Sequence, residues 1–181
     1  MIREPQRRIS IGISSCLLGH PVRYDGGHKR DACLMEELGA LFEFLPLCPE
    51  VAIGMGTPRP PIRLMGDPSR PRAVAVQGGE LDVTDKLIDY AHRAMTMHPR
   101  ISGYIFKRGS PSCGLKQVAV YDASGAPHSE SPGLYAGAIV RSHPKMPVEQ
   151  EDRLHDPVLR NAFVERVYAF DRLRRSTLPA N

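Results

Sequence analysis

Four cysteines stand in the 181-residue chain, at positions 16, 33, 48 and 113, and three of them share a setting. Cys16 directly follows a stretch in which Ile9, Ile11 and Ile13 alternate with small residues, the pattern of a β-strand. Cys48 directly follows Phe44-Leu45-Pro46-Leu47, a second short strand whose Pro46 is acceptable at a strand end. Cys113 sits in the loop after an apolar strand over 103–107. In a parallel sheet the carboxyl ends of the strands lie on one edge, where open α/β folds bind their ligands. Three thiols remote in sequence therefore converge, and convergent thiolates suit a soft metal centre. Zinc takes four protein ligands in structural sites and three in catalytic ones. A 4Fe–4S cluster usually takes four cysteines; with three, one iron keeps an open position, for which sulfur is a well-matched ligand. A lone cysteine is most often a small core hydrophobe, but three at strand ends argue against that for the set.

The neighbours of these cysteines support a site. Arg108-Gly109-Ser110-Pro111-Ser112-Cys113-Gly114 packs small, rigid and hydroxyl residues around one thiol. Its glycines allow close backbone approach, and its N–H groups can bond cluster sulfurs. Glu50, two residues beyond Cys48, is a carboxylate placed to transfer a proton. Alone, such a residue would as readily cap a helix or pair with an arginine. Ser110 and Ser112 would otherwise be ordinary turn residues, and Arg59, set among prolines, is either an ion-pair partner or an anion binder. Tyr24 and Asp25 lie in the loop after Cys16. Cys33 falls in the first turn of a helix and could reach the same edge as a fourth ligand. No turn glycines or polar partners surround it, so it is left out of the ligand set. The seven histidines have no metal-like spacing.

The elements that must position these residues alternate between strand and helix. Asp31 caps a first helix with Leu34, Met35, Leu38, Leu41 and Phe42 on one face. Residues 73–76 form a short strand before Gly78-Gly79. Asp82 or Thr84 caps a second helix with Leu87, Ala91, Ala94, Met95 and His98 on one face, ended by Pro99. Residues 118–122 are a strand and 134–141 a short helix. Glu149, Glu151 and Asp152 form an acidic patch. Asp156 and Pro157 then open a helix with Leu159, Ala162, Phe163, Val167, Phe170 and Leu173 on one face. The alternation indicates an α/β fold with a mostly parallel sheet flanked by helices. The site lies at the carboxyl ends of the strands, and an amphipathic helix closes the C-terminal part.

Composition narrows the function classes. At 41% hydrophobic residues, and about half the chain once the 16 glycines are added, the sequence is ordinary for a globular domain that can bury a core. A net charge of +4, with the signs interspersed, does not imply nucleic acid as a partner. No apolar run is long enough to cross a bilayer. Arg7 and Arg8 before Ile13-Ser14-Ser15-Cys16 imitate a lipoprotein signal, but the intervening stretch is short and polar. A cytoplasmic protein is expected, in which cysteines serve metal binding or catalysis rather than disulfides.

Three motifs carry a family resemblance. They are Ser14-Ser15-Cys16-Leu17-Leu18-Gly19 with Val22-Arg23-Tyr24-Asp25-Gly26; Cys48-Pro49-Glu50-Val51 with Gly54 and Pro58-Arg59; and Ser110-Pro111-Ser112-Cys113-Gly114. In this order they resemble the thiouracil desulfidase family, over roughly residues 8 to 145. The resemblance implies an α/β domain with an oxygen-sensitive 4Fe–4S cluster held by Cys16, Cys48 and Cys113. Glu50 matches the catalytic carboxylate, and Ser110 or Ser112 the catalytic hydroxyl. Tyr24, Asp25 and Arg59 are the candidate substrate-binding residues. The implied reaction is redox-neutral desulfuration of a small-molecule thiolated pyrimidine, such as thiouracil, with release of hydrosulfide. A second resemblance, from Pro147-Val148-Glu149 through Asp156 and Phe163, is to the start of a domain often fused after this one. Residues 1–145 are thus expected to be the iron–sulfur domain and 146–181 a helical tail in place of that second domain. The tail helix is expected to bury its face on the domain or in a homodimer.

Other classes compete. A non-enzymatic zinc or iron–sulfur interaction module would complete its coordination with a fourth protein ligand, Cys33 being the candidate. A thiol redox enzyme would show a Cys-x-x-Cys pair, which is absent from the sequence. An iron–sulfur enzyme of nucleobase thiolation would use the same open iron in reverse, but would normally add a nucleotide loop or nucleic-acid domain. No Gly-x-x-x-x-Gly-Lys motif occurs.

Overall fold

The computed structural model describes residues 8–77 and 80–177. Arg7, the Gly78-Gly79 pair and residues 178–181 of the tail lie outside the described residues. In chain order the elements are β1 (Ile9–Ser14), α1 (Ala32–Gly39), β2 (Phe42–Leu47), α2 (Pro49–Ala52), β3 (Ile62–Met65), β4 (Arg72–Ala75), α3 (Thr84–Met97), β5 (Tyr104–Phe106), β6 (Val118–Tyr121), β7 (Pro127–Ser131), α4 (Leu134–Ser142), β8 (Val148–Gln150) and α5 (Pro157–Thr177). Short 3-10 turns cover Ser15–Leu18 and Glu151–His155.

Four strands form one sheet in the order β2-β1-β5-β8, parallel throughout. The protein is an α/β fold with this parallel sheet flanked by helices. Tyr104, Ile105 and Phe106 of β5 are all fully buried, as befits an inner strand covered on both faces. Tyr104 and Phe106 face a layer with Tyr90, Ala91 and Ala94 of α3 and Tyr135 and Ile139 of α4. Ile105 faces the opposite layer, with Ile11, Ile13, Leu34 and Leu38 of α1, and Phe163 and Val167 of α5. Pro46 is accommodated because β2 is an edge strand, where a missing N–H breaks no inner ladder.

A second, mixed sheet runs β4-β3-β6-β7, with β3 parallel to β6 and the outer pairs antiparallel. It packs Leu64, Val120 and Ile62 on Val83 and Leu87 at the start of α3. Strands β3, β7 and β8 were not expected from the sequence. β7 (Pro-His-Ser-Glu-Ser) and β8 (Val-Glu-Gln) are too short and polar to show strand alternation.

Two helical faces differ from expectation. α1 ends at Gly39, so Phe42 opens β2 and Leu41 is exposed. Asp31 caps it as expected, accepting from the Leu34 N–H at 3.1 Å. On α5 the buried residues are Phe163, Val167 and Asp171, while Ala162 and Leu173 face outward. The helix lies on its own chain's sheet, through Phe163 and Val167.

Candidate active site

The parallel sheet delivers four strand ends to one edge, and each brings a piece of the site. β1 runs into the turn that carries Cys16; Gly19, at φ 94°, closes that turn by donating to the Cys16 carbonyl. Only a glycine adopts that left-handed conformation without strain. β2 ends at Leu47, and Cys48 becomes the capping residue of α2, with Pro49 at the first helical position. Glu50 follows in the first turn. β5 leads into the loop bearing Cys113, and β8 leads to Glu151.

The Cys113 loop has no regular structure of its own and is fastened from below. The first N–H groups of α4 lack a side-chain cap and donate to the loop instead: Leu134 to the Pro111 carbonyl and Ala136 to the Ser112 carbonyl, both at 3.1 Å. Gly133 permits this approach, since a Cβ there would stand 2.7 Å from the Ser112 backbone.

Cys16, Cys48 and Cys113 all line one cavity of about 450 Å³. Cys16 and Cys113 are buried and Cys48 half-buried, and all are free thiols. Burial pushes the Cys16 thiol up from an ordinary 9.0 to about 11, while Arg23 beside it pulls the other way. Burial also raises Cys48 and Cys113, and the nearby Cys48 sulfur raises both of the others. The unligated thiols are therefore neutral at pH 7, and a cation that binds them must displace protons. Among the described residues no group of three or more His, Cys, Asp and Glu side chains is gathered closely enough to hold a metal ion. The donors that share the cavity are three cysteine sulfurs, the soft ligand type that iron–sulfur centres use. Cys33 is exposed on α1 and does not line the cavity.

Glu50 faces the same cavity with both oxygens engaged. Arg59 Nε donates to Oε2 at 2.8 Å, and Ser112 Oγ donates to Oε1 at 2.6 Å. Arg59 is itself held by the Gly56 carbonyl and Thr57 hydroxyl. Ser110 Oγ accepts from the Cys113 and Ser112 N–H groups and lies 2.9 Å from Ser112 Oγ. Because Ser112 gives its proton to Glu50, the proton in the serine pair must come from Ser110. The hydroxyls thus form a one-way chain, Ser110 to Ser112 to Glu50.

Of the residues expected from the sequence, Glu50, Ser110, Ser112, Tyr24 and Arg59 line the cavity with the three cysteines. Asp25 does not. Its carboxylate accepts from the Gly27 N–H at 2.9 Å, which lowers its pKa and holds the loop's turn. Unforeseen lining residues are Ser14, Lys29 and Lys107. Ser14 Oγ accepts from the Lys107 N–H at 3.0 Å. Their signal in the sequence was position: Ser14 and Lys107 stand at the ends of β1 and β5.

The sequence model of the 2-thiouracil desulfurase family matches residues 11–151. The uncharacterized protein YbbK of Bacillus subtilis (strain 168) is 34% identical over an alignment of 113 residues that covers 58% of this chain and 72% of that protein. A solved structure described as the [4Fe-4S]-dependent thiouracil desulfidase TudS is 34% identical, with a TM-score of 0.64. The match covers 86% of this chain and 99% of that one.

Proposed function

The chain belongs to the 2-thiouracil desulfurase family, and from that membership we propose that it hydrolyses the thiocarbonyl of a thiolated pyrimidine. Water supplies the oxygen of the product carbonyl; sulfur leaves as hydrosulfide, and no electrons are transferred. The observation that carries this reading is the meeting of Cys16, Cys48 and Cys113 with Glu50 in one cavity. The three sulfurs suit a 4Fe–4S cluster with one iron free of protein ligands, the cofactor named for the TudS structure. When bound, the cluster supplies Lewis acidity at a thiophilic iron, which polarises the C–S bond.

The chain's own residues do the proton work. Arg59 and Ser112 hold the two oxygens of Glu50, so the carboxylate cannot rotate away from the cavity. Glu50 takes a proton from the attacking water and returns it to the departing sulfur. Ser110 and Ser112 point their hydroxyl protons along the chain to Glu50, which keeps the carboxylate ionised and aimed until it accepts the water proton. Tyr24, half in solvent at the cavity lining, offers a ring face to the flat pyrimidine. Buried walls limit competing water to the cavity mouth.

The test is to reconstitute the protein with iron and sulfide under anaerobic conditions and add thiouracil. Uracil and hydrosulfide should appear in equal amounts without added reductant. A reaction that needs an electron donor, or one that inserts sulfur into uracil, would overturn the assignment.

A further inference from the structure

The segment after residue 145 contributes to the site through two side chains at the end of β8. Glu151 is buried, and both its oxygens bind the start of the Cys113 loop. Oε1 pairs with Lys107 Nζ, and Oε2 accepts from the Arg108 N–H at 2.7 Å. Gln150, also buried, binds the end of the same loop, its Oε1 accepting from the Leu115 N–H at 3.1 Å. Between these anchors the loop carries Ser110, Ser112 and Cys113. Parallel pairing of β8 with β5 fixes the register, setting Gln150 beside Phe106, directly before Lys107. Lys107 itself lines the cavity, and both it and Glu151 act electrostatically on Cys16.

We infer that Gln150 and Glu151 are positioning residues that clamp the two ends of the Cys113 loop, setting its thiol for the metal centre and balancing the Lys107 charge beside it. The inference rests on the cluster reading above, yet the clamp itself exists in the metal-free chain. Without Glu151, Lys107 loses its carboxylate partner, and the Arg108 N–H loses its acceptor. Such partners of a ligand-bearing segment govern how firmly a site holds its metal.

The test has two arms on the full chain. In the metal-free protein, amide hydrogen exchange should speed up at Arg108 in Glu151→Ala and at Leu115 in Gln150→Ala, with far-UV dichroism unchanged. In the anaerobically reconstituted protein, both variants should lose iron to a chelator about 10- to 100-fold more readily, the range typical of outer-shell partners. Glu151→Gln, the variant to use if Glu151→Ala does not fold, keeps an acceptor for Arg108 but leaves Lys107 uncompensated. It should hold its iron while the cluster's midpoint potential moves positive, because a nearby cation favours the added electron. A purely space-filling Glu151 would not move that potential. Unchanged exchange at both amides, or wild-type iron retention in both alanine variants, would overturn the clamp. Wild-type protein that takes up no iron at all would instead overturn the cluster reading, with the exchange arm still deciding the clamp.

Discussion

Glu50 has neither oxygen free at rest, and that separates its role from those of the serines. Glu50→Gln keeps the size of the side chain but cannot accept the water proton; turnover should fall about 10²- to 10⁴-fold, the usual worth of a general base. The iron content should not change, since Glu50 is not a proposed ligand. Ser112 touches the carboxylate directly, whereas Ser110 reaches it only through Ser112. Ser112→Ala should therefore lower kcat more than Ser110→Ala. The reverse order would mean that Ser110 is the hydroxyl on the substrate. The thiols differ in the same local way. In metal-free protein at pH 7, Cys33 should be alkylated first, because it alone is exposed. Cys16, Cys48 and Cys113 should lag, since burial keeps them protonated. Mass mapping of the first modified peptide checks this.

At the scale of elements, α5 belongs to the packing of the parallel sheet. Phe163 and Val167 share a cluster with β1, α1 and β5. Phe163→Ala should cost about 3–5 kcal/mol of stability in denaturant unfolding, as cavity-forming aromatic truncations do. Leu173→Ala, on the outward face, should stay within about 0.5 kcal/mol. Asp171 pins the same helix to Ser102 and pairs within the helix with Arg174 and Arg175. Burial alone would raise its pKa, but hydrogen bonds from Arg174 and Ser102 and the two arginine charges outweigh this and lower it. A lowered folded-state pKa gives stability that is present above the ordinary carboxyl value and lost as pH falls through the folded value. Wild-type protein should thus lose more stability than Asp171→Asn on titration from pH 5 downward. Most of this layer was legible. β1 and the capped α1 came from alternation and a cap signal, and Cys16 and Cys48 were placed by the strands just before them. What stayed hidden were pairings decided by distant segments. β8 is three residues with two polar side chains, and only its place beside β5 makes it a strand. Glu151 read as part of a surface acidic patch because nothing local shows that Lys107 and Arg108 face it.

Across the whole molecule, the four parallel strand ends are what turn scattered residues into one site. The same edge receives Cys16, Cys48, the Cys113 loop and Glu151, from positions spread over most of the chain. Cations gather there too, with Arg23, Lys29 and Lys107 lining the cavity beside the Glu50–Arg59 pair. No described helix is long and apolar enough to cross a membrane. The central claim is that Cys16, Cys48 and Cys113, without Cys33, hold one iron–sulfur cluster. It is tested most directly by iron and sulfide analysis of anaerobically reconstituted wild type beside the four single Cys→Ala variants. Wild type and Cys33→Ala should each hold about four irons and four sulfides per chain, and the other three variants should lose most of both. Loss of the cluster in Cys33→Ala, or full retention in any of the other three, would contradict the account.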